Sequence, residues 1–369
     1  MGQLRLRWGG RWRDTARMNV ADAIKALAAE HGFALHGLAA VPPGGQAPQA
    51  EFLAAWLADG RHGPLHYVAQ SAAARGNVHT RFPWARSVLC VGAYYGGEPR
   101  GQWGRDFIAH VARYAHGRDY HLVFEKRLKS LSRALLDAGH ATQARYYVDA
   151  GPVLERAWAQ AAGLGWVGKN ACLIHPRHGS FLVLGEILLD HALPPDAPAT
   201  DRCGTCTRCL EACPTQAFTA PGQLDARRCI VTWNLEQKGL VPEAQWTEHH
   251  GWAAGCDVCQ TVCPYNAPTR GPQPDPELAA PRPWHGLSLA EAIGLSKADF
   301  DRLFEASALR RTGWKGLRLG ALTAAGEVRQ KALRPALEAC LSDADADIRA
   351  RAAWALSRLE AAKPEPEGR

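Results

Sequence analysis

The residues of this chain whose types and spacing most clearly imply chemistry are its cysteines. Eight of the eleven cysteines in the 369-residue sequence lie between positions 203 and 263. The first four follow the pattern Cys-x2-Cys-x2-Cys-x3-Cys-Pro, which is the spacing of bacterial ferredoxins. In that pattern three thiolates bind one 4Fe-4S cluster, and the fourth, which precedes proline, binds the other. The set therefore predicts metal binding rather than disulfides.

A second run of cysteines follows and has the same Cys-Pro ending, but its first cysteine is missing. Cys229 is the remaining cysteine of the segment, and we expect it to take that place. The exchange of the fourth cysteine between clusters then predicts two sets of four ligands. These are Cys203, Cys206, Cys209 and Cys263 for cluster one, and Cys213, Cys229, Cys256 and Cys259 for cluster two. Zinc could bind two Cys-x2-Cys pairs, but it does not explain the third cysteine or the Cys-Pro endings.

Asp149 is a second candidate for chemistry, because it ends a short apolar strand just before a Gly-Pro pair opens a predicted helix. In the simpler interpretation its carboxylate caps that helix. In the functional interpretation it lies in the crevice at the carboxyl end of an α/β sheet and donates a proton. Gly163, Gly165 and Gly168 follow, and we expect them to let the backbone approach a large flat ligand. They do not match the G-x-G-x-x-G nucleotide motif.

A basic segment near the C-terminus is the third candidate. Seven Lys and Arg residues stand between Arg310 and Arg334, against one acid, Glu327. Such a surface either neutralises phosphates or is a solvated helix face, and charge alone favours the solvated face. The net charge of the whole chain, +7, adds little to this argument. More than half of that excess comes from residues 1–17, which contain five arginines and one aspartate.

The elements that must position these residues belong to a chain of ordinary globular composition, with 47% hydrophobic and 21% charged residues. That composition excludes wholesale disorder, and no apolar run approaches the roughly 18 residues of a membrane span. Helical and strand patterns alternate over the N-terminal half, which predicts an α/β or α+β layer domain. The predicted helices are 20–31, 51–59 and 120–138, and the predicted strands are 87–95, 145–148 and 181–189.

Proline-rich stretches predict the domain boundaries. Residues 18–195 form the first domain, residues 196–268 the cysteine-rich domain and residues 269–360 a helical domain. The helical domain contains predicted helices at 317–326, 332–341 and 347–359, which fit a HEAT-like α-solenoid, although a plain helical bundle fits them almost as well. Residues 1–17 are expected to be a non-native or disordered extension, and residues 361–369 a disordered tail. No secretory signal is apparent, and a cytoplasmic chain is expected.

Several motifs in one order resemble the epoxyqueuosine reductase family. The clearest is the segment from Asp149 to Asn170, which contains the strings Asp-Ala-Gly-Pro-Val-Leu-Glu-Arg and Gly-Leu-Gly-Trp-Val-Gly-Lys-Asn. The strings at 112–121, 178–180 and 311–318 and the two-cluster cysteine set also resemble that family. The resemblance runs from about Met18 to Leu359, which is nearly the whole chain.

This resemblance implies a cobalamin-dependent oxidoreductase with two 4Fe-4S clusters that reduces epoxyqueuosine to queuosine at the wobble position of tRNA. It implies that residues 18–195 bind cobalamin, that residues 196–268 are ferredoxin-like and that the helical domain binds tRNA. An external low-potential donor supplies electrons through the clusters to cobalamin, and Asp149, with a raised pKa, supplies a proton. A monomer without membrane attachment is expected.

The resemblance also implies two groups of binding residues. The cobalamin or substrate pocket is lined by Arg75, Arg113, Tyr114, Asp149, Lys169, Asn170, Leu173 and Ser180. The tRNA stem-loop is held by Arg310, Arg311, Trp314, Lys315 and Arg318. The chain has no D-x-H-x-x-G cobalamin motif, because the nearest string, which begins at Asp119, lacks the glycine. No histidine of the protein is therefore predicted under the cobalt.

Two alternatives stay open at this point. A reductive dehalogenase-like enzyme would use the same redox core on a small molecule, but it would have no use for a basic C-terminal domain. A plain electron-transfer ferredoxin module would explain the cysteines and leave the Asp149 segment without a role.

Overall fold

The computed structural model describes residues 6–8, 11–13, 19–96, 106–237, 241–267 and 273–361. Its strands are β1 (Leu6–Trp8), β2 (Arg11–Arg13), β3 (Leu35–Ala40), β4 (Ser87–Tyr94), β5 (Ala144–Tyr147), β6 (Trp166–Val167), β7 (Leu173–Ile174), β8 (Leu182–Leu189), β9 (Phe218–Ala220) and β10 (Gln223–Leu224). Its α-helices are α1 (Val20–Glu30), α2 (Ala50–Ala58), α3 (His66–Gln70), α4 (Ala72–Gly76), α5 (Tyr120–Asp137), α6 (Glu155–Ala161), α7 (Arg208–Glu211), α8 (Val258–Thr261), α9 (Leu289–Ile293), α10 (Lys297–Leu303), α11 (Gly313–Val328), α12 (Arg334–Ala339) and α13 (Ala346–Glu360). Short 3-10 turns and one π-helical turn, Thr232–Glu236, connect them.

The centre of the first domain is a four-stranded sheet in the order β3-β4-β8-β5. Every neighbouring pair is antiparallel, so that Cys90 of β4 lies opposite Glu186 of β8. The three predicted strands are confirmed to within one residue at each end, and β3 is an additional strand. Because the sheet is antiparallel and the domain is of the α+β kind, the expected crevice at the carboxyl ends of parallel strands does not apply to Asp149.

Helices cover both faces of this sheet, which is why β4 is buried along its whole length. On one face Ile24 of α1 and Phe124 of α5 pack against the sheet in a single apolar cluster. On the other face Trp158 of α6 packs in a cluster with Val88 of β4. The predicted helices 20–31, 51–59 and 120–138 are confirmed as α1, α2 and α5.

The cysteine-rich segment has little regular structure beyond the one-turn helices α7 and α8 and the antiparallel β9–β10 hairpin. Cys209 lies within α7 and Cys259 lies within α8. The two helices pack against each other. The two cysteine runs, which are separate in sequence, are therefore brought together in space.

The three predicted C-terminal helices are present as α11, α12 and α13. Leu317 and Ala321 of α11 share one apolar core with Phe107 of the first domain and Ala253 of the cysteine-rich domain. A Cβ on Gly320 would lie 2.1 Å from the Ala253 carbonyl oxygen, so α11 needs a glycine where it crosses that segment. The three predicted domains thus share a core, and the HEAT-like solenoid stays a prediction.

The predictions for the chain ends fall mostly on residues that the structure does not describe. β1 and β2 form an antiparallel pair within residues 1–17. The rest of that extension, residues 362–369 of the predicted tail and residues 268–272 of the second proline-rich stretch lie outside the described residues. Among the described helices, none has the length and apolar composition that crossing a membrane requires.

Candidate active site and cluster-binding cysteines

Asp149 lies just after β5, in the turn that leads to α6. Its carboxylate accepts a hydrogen bond of 2.5 Å from the Tyr120 hydroxyl and lies 3.2 Å from Nε2 of His121. Tyr120 and His121 begin α5, and Asp119 caps that helix by accepting the His121 N–H at 3.0 Å. The Asp119 carboxylate also lies 2.9 Å from Nδ1 of His121. Both ring nitrogens of His121 therefore face carboxylates.

These contacts decide where the proton resides. Burial lowers the pKa of His121, but its hydrogen bonds to Asp119 and Asp149 outweigh burial and raise the pKa to about 9. Burial raises the pKa of Asp149, but the hydrogen bonds from His121 and Tyr120 outweigh it, so this pKa lies below its usual value. The pKa of Asp149 is therefore lowered, whereas a raised pKa would have suited a proton donor. At neutral pH His121 holds the proton and Asp149 is the carboxylate that can pass it on.

Two further carboxyl groups stand close to Asp149. Asp149 has a backbone φ of +54°, and its N–H donates to the Glu155 carboxylate at 2.5 Å. Burial raises the pKa of Glu155 to about 7, and the charge of Asp149 adds to this increase. Glu186 of β8 is fully buried, and neither of its carboxylate oxygens has a hydrogen-bond partner among the described residues. Burial raises the pKa of Glu186 well above its usual value, which indicates a neutral carboxylic acid.

The sequence alone did not single out Tyr120, His121 or Glu155. A signal for the first two was present, because Asp119 at the start of a predicted helix is a typical N-cap and fixes the next two side chains on the first turn. Glu155 had no such signal. Its contact with the Asp149 N–H depends on the positive φ of Asp149, which no sequence pattern reports.

The four cysteines predicted for cluster one surround a single cavity. Cys203, Cys206, Cys209 and Cys263 all line it, and its volume is 230 Å³. Cys263 comes from the second cysteine run, and its place in this cavity is the one that the predicted exchange between runs requires. The indole N–H of Trp166 donates toward the Cys203 sulfur at 3.4 Å, as a donor to a cluster thiolate would.

The other four cysteines also lie near one another. Burial raises the pKa of the Cys256 thiol to about 12, and the charges of Cys229 and Cys213 add to this increase. The pKa of the Cys259 thiol is raised first by its hydrogen bond with Cys172 and then by burial, and the charges of Cys256 and Cys229 add to the increase. Cys172, which is outside the predicted ligand sets, lies within hydrogen-bond reach of Cys259. The eight cysteines predicted as ligands supply the number of thiolates that two 4Fe-4S clusters require.

Comparisons with known proteins agree with this arrangement. A family model described as a 4Fe-4S double cluster binding domain matches residues 202–266, and one described as "Epoxyqueuosine reductase QueG, DUF1730" matches residues 75–150. The epoxyqueuosine reductase of Gloeobacter violaceus is 44% identical over 315 residues, which cover 83% of this chain and 96% of that protein. The chain belongs to the epoxyqueuosine reductase family. The family member from Xanthomonas campestris is 38% identical over 356 residues, which cover 93% of this chain and 98% of that one.

Solved epoxyqueuosine reductases have the same fold. A crystal structure of epoxyqueuosine reductase with an epoxyqueuosine-modified tRNA-Tyr stem loop matches with a TM-score of 0.79 at 28% identity, covering 92% of this chain and 91% of that one. The epoxyqueuosine reductase of Streptococcus thermophilus matches with a TM-score of 0.76 at 25% identity, covering 94% and 92%.

Three of the residues that resemblance to epoxyqueuosine reductases assigns to cobalamin contact the cluster-binding loops. Nζ of Lys169 donates to the carbonyls of Gly204 and Cys206 at 2.7 and 3.0 Å. Asn170, which is buried, donates to the Cys259 carbonyl at 3.4 Å. The Ser180 hydroxyl donates to the Gln260 side chain at 3.0 Å. These contacts give all three side chains a part in holding the cluster-binding segment.

The remaining residues of that group lie in two places. Arg75 is buried and donates to the Val153 carbonyl at 2.9 Å, so it supports the turn that carries Asp149. Tyr114 contacts the Tyr120 ring at 5.9 Å. Arg113 stacks on Phe181 at 4.7 Å, and its backbone N–H donates to Asp257, the neighbour of Cys256, at 2.7 Å. Leu173 of β7 is a buried packing residue on the sheet face covered by α6.

The glycines between α6 and β7 serve packing within the protein. A Cβ on Gly163 would lie 2.7 Å from the Ala197 carbonyl oxygen, and one on Gly165 would lie 2.4 Å from the Ile174 carbonyl oxygen. A Cβ on Gly168 would lie 2.3 Å from the Ile174 side chain. Protein atoms therefore require a glycine at each of these positions, and the approach of the backbone to a flat ligand stays a prediction.

The five residues predicted to hold tRNA divide into an exposed group and a buried group. Arg310, Arg311 and Lys315 keep 48%, 45% and 42% of their side chains exposed. Arg318 is buried, pairs with Asp343 at 2.8 Å and donates to the Ile293 carbonyl. Trp314 donates to the Leu295 carbonyl at 2.6 Å and lies beneath Arg318. Their positions argue for packing roles for Arg318 and Trp314.

Proposed function

We propose that this chain reduces epoxyqueuosine to queuosine at the wobble position of tRNA, with two 4Fe-4S clusters and cobalamin as cofactors. The observation that carries the proposal is the Asp149–Tyr120–His121 group, which stores a proton near the cluster-binding segment in a member of the epoxyqueuosine reductase family. Removal of the epoxide oxygen as water consumes two electrons and two protons. The electrons come from an external low-potential donor.

The residues present fit the redox groups. Each set of four thiols suits one cluster. Burial raises the pKa values of the Cys209, Cys229, Cys256 and Cys263 thiols, an effect that binding to iron reverses. When bound, the clusters supply single electrons and cobalamin supplies the reducing centre. Tyr114 touches the acid site, while Arg113 touches Asp257 beside cluster two. A cofactor that connects the acid site with cluster two has to contact both residues. This supports the assignment of Arg113 and Tyr114 to the cobalamin pocket.

The proton moves through the acid site in a defined order. His121 holds it below a pH of about 9, Asp149 carries it to the epoxide oxygen, and the Tyr120 hydroxyl keeps the carboxylate pointing at the substrate. Asp119 restrains the far side of the His121 ring and stabilises its cationic form. Glu155 fixes the backbone of Asp149 through its N–H.

Arg310, Arg311 and Lys315 supply the phosphate contacts of the tRNA in this proposal. Their exposure supports that role, and Arg311 lies near enough to Asp149 to help lower its pKa. Contacts of this kind position the nucleic acid and weaken with added salt. A monomer and a cytoplasmic location stay predictions.

Conversion of a defined RNA tests the function. The holoenzyme is reconstituted anaerobically with iron, sulfide and cobalamin, and about eight irons per chain are expected. With a low-potential reductant it should convert a stem-loop containing epoxyqueuosine into a product that has lost one oxygen atom, as measured by mass spectrometry. The same RNA with guanosine at the wobble position is the control. Full loading of both cofactors without any conversion would overturn the proposal.

A further inference from the structure

Glu186 is a buried carboxyl group to which the proposed function gives no role. It lies within β8, it is 0% exposed, and neither of its oxygens has a hydrogen-bond partner among the described residues. Its neighbours along the same side of the strand, Leu184 and Leu188, are aliphatic and pack in one apolar cluster. An unpaired carboxyl group in such surroundings costs free energy that a leucine would not cost. Because unpaired buried polar groups are rare, this one calls for an explanation.

The register of the sheet shows which side Glu186 faces. Glu186 lies opposite Cys90 of β4 and opposite Tyr147 of β5. Residues that lie directly opposite each other in an antiparallel pair point to the same face of the sheet. Cys90 and Tyr147 pack in the apolar cluster that contains Trp158 of α6. Glu186 therefore points toward α6, the helix that begins at Glu155.

Glu155 stands between Glu186 and the acid site. Its carboxylate accepts the N–H of Asp149 at 2.5 Å. Burial raises the pKa of Glu155 to about 7, and the charge of Asp149 adds to this increase. Burial raises the pKa of Glu186 well above its usual value, and the charges of Glu155 and Asp149 add to that increase. At neutral pH Glu186 therefore holds a proton, and Glu155 can both take up a proton and release one.

Arg75 supplies a fixed positive charge to this region. It is buried, and its guanidinium donates to the Ser71 hydroxyl at 2.8 Å and to the Val153 carbonyl at 2.9 Å. Its charge lowers the pKa values of Glu155 and Glu186, although the opposite effect of burial is larger in both cases. A cation held in this way stabilises the carboxylate that remains after a proton has left.

The proposed reaction needs a second proton, and the bound RNA limits where that proton can come from. Removal of the epoxide oxygen as water consumes two protons, and His121 holds one of them. The side chain of Asp149 is 45% exposed, so water reaches it in the free protein. An RNA that presents its base to Asp149 covers this exposed surface. A proton that is already inside the protein does not depend on the access of water.

We propose that Glu155 and Glu186 form an internal proton store, which supplies the second proton of the reaction through Asp149. The inference rests on the proposed function and deepens it by naming the source of that proton. After Asp149 has delivered the first proton, Glu155 protonates the Asp149 carboxylate and is itself protonated again by Glu186, with water as the carrier. Asp149 then delivers the second proton to the oxygen, which leaves as water. Glu186 regains its proton from solvent by the reverse path after product release.

Amide variants test the proton store, because glutamine keeps the shape of glutamate but has no acidic proton. Glu155→Gln also keeps an oxygen that can accept the Asp149 N–H. In single turnovers of the loaded holoenzyme, Glu155→Gln and Glu186→Gln should each convert the epoxyqueuosine stem-loop about ten- to hundred-fold more slowly, with unchanged RNA affinity. The double variant should be no slower than the slower single variant, because both substitutions interrupt one path. Losses that multiply in the double variant would contradict a shared path.

Infrared spectra give a readout that does not depend on turnover. At neutral pH the wild type should show the carbonyl stretch of a protonated carboxyl group, and Glu186→Gln should lose that band while keeping its iron content and melting temperature. Leu188→Met, a volume-conserving change on the same side of β8, is the matched control and should keep both the band and the wild-type rate. Absence of the band from the wild type, or a wild-type rate in Glu186→Gln, would overturn the inference. Conversion by the wild type alone tests the proposed function, which stands even if Glu186→Gln converts equally fast.

Discussion

The cluster cysteines come from one continuous segment, residues 203–263, whereas the acid site is assembled from parts that are distant in the chain. Asp149 stands after β5, its partners Tyr120 and His121 begin α5, and Arg311 reaches it from the C-terminal helices. Local spacing is enough to bind iron, but proton delivery depends on the tertiary fold. Small distortions of the fold should therefore impair turnover before they impair cluster binding.

The largest effect is expected from exchanging cluster ligands. Cys263→Ala should remove cluster one, although Cys263 lies in the second cysteine run, and Cys213→Ala should remove cluster two. In each variant the iron content should fall from about eight to about four per chain, and turnover should be abolished because the electron path is broken. Iron analysis and EPR spectra measure this. Loss of the other cluster in either variant would contradict the exchange.

The second-largest effect on turnover is expected from a substitution of Asp149. Asp149→Asn removes the group that passes the proton, and turnover should fall about 10²- to 10⁴-fold while iron and cobalamin contents stay unchanged. Asp59→Asn is the control, since Asp59 pairs with Arg61 on the surface of the same domain. It should leave turnover unaffected. Loss of the clusters in Asp149→Asn would contradict the independence of cluster binding from the acid site.

The smallest effect is a pH dependence that belongs to the acid site alone. The pKa of His121 is raised to about 9, so its protonated form is present below that value and is lost as the pH rises through it. Turnover should decrease as the pH rises through 9. The charge of His121 also stabilises the fold; this stabilisation should be complete below a pH of about 6.5 and should be lost as the pH rises through 9.

His121→Gln should remove this decrease and have lower turnover at neutral pH. Rates measured on both sides of pH 9, together with melting temperatures, provide the comparison. An unaltered pH profile in His121→Gln would exclude His121 as the group that holds the proton. The cluster absorbance should stay constant across the same range, because the thiolates are bound to iron.

Much of the fold was predictable because its signals are local. The cysteine spacing, the buried strands and the capped helices α1 and α5 can each be recognised from a few consecutive residues. β3 escaped prediction because its sequence, Leu-His-Gly-Leu-Ala-Ala, has no β-branched residue and reads weakly as a strand. The antiparallel order of the sheet is a long-range property and was not determined by the alternation of elements.

The acid site was only partly predictable for the same reason. Asp149 could be singled out, but its pKa depends on His121 and Tyr120, which are almost thirty residues away. The roles of the basic C-terminal residues likewise depend on burial, which the sequence does not show. Arg318 is buried and Arg310 is exposed, although both are arginines. The packing role of the glycines near 165 was not predicted, because the sequence does not show which atoms fill the space beside them.

Lys169 and Asn170 are neighbours in the chain, yet one is tied to the loop of Cys206 and the other to the carbonyl of Cys259. A single peptide unit of the first domain thus acts as a common anchor for both redox centres. Any rocking of the cysteine-rich segment against the first domain would move both centres together and leave their separation unchanged. The distance between the two clusters, on which electron transfer depends, would thereby be protected from such a motion.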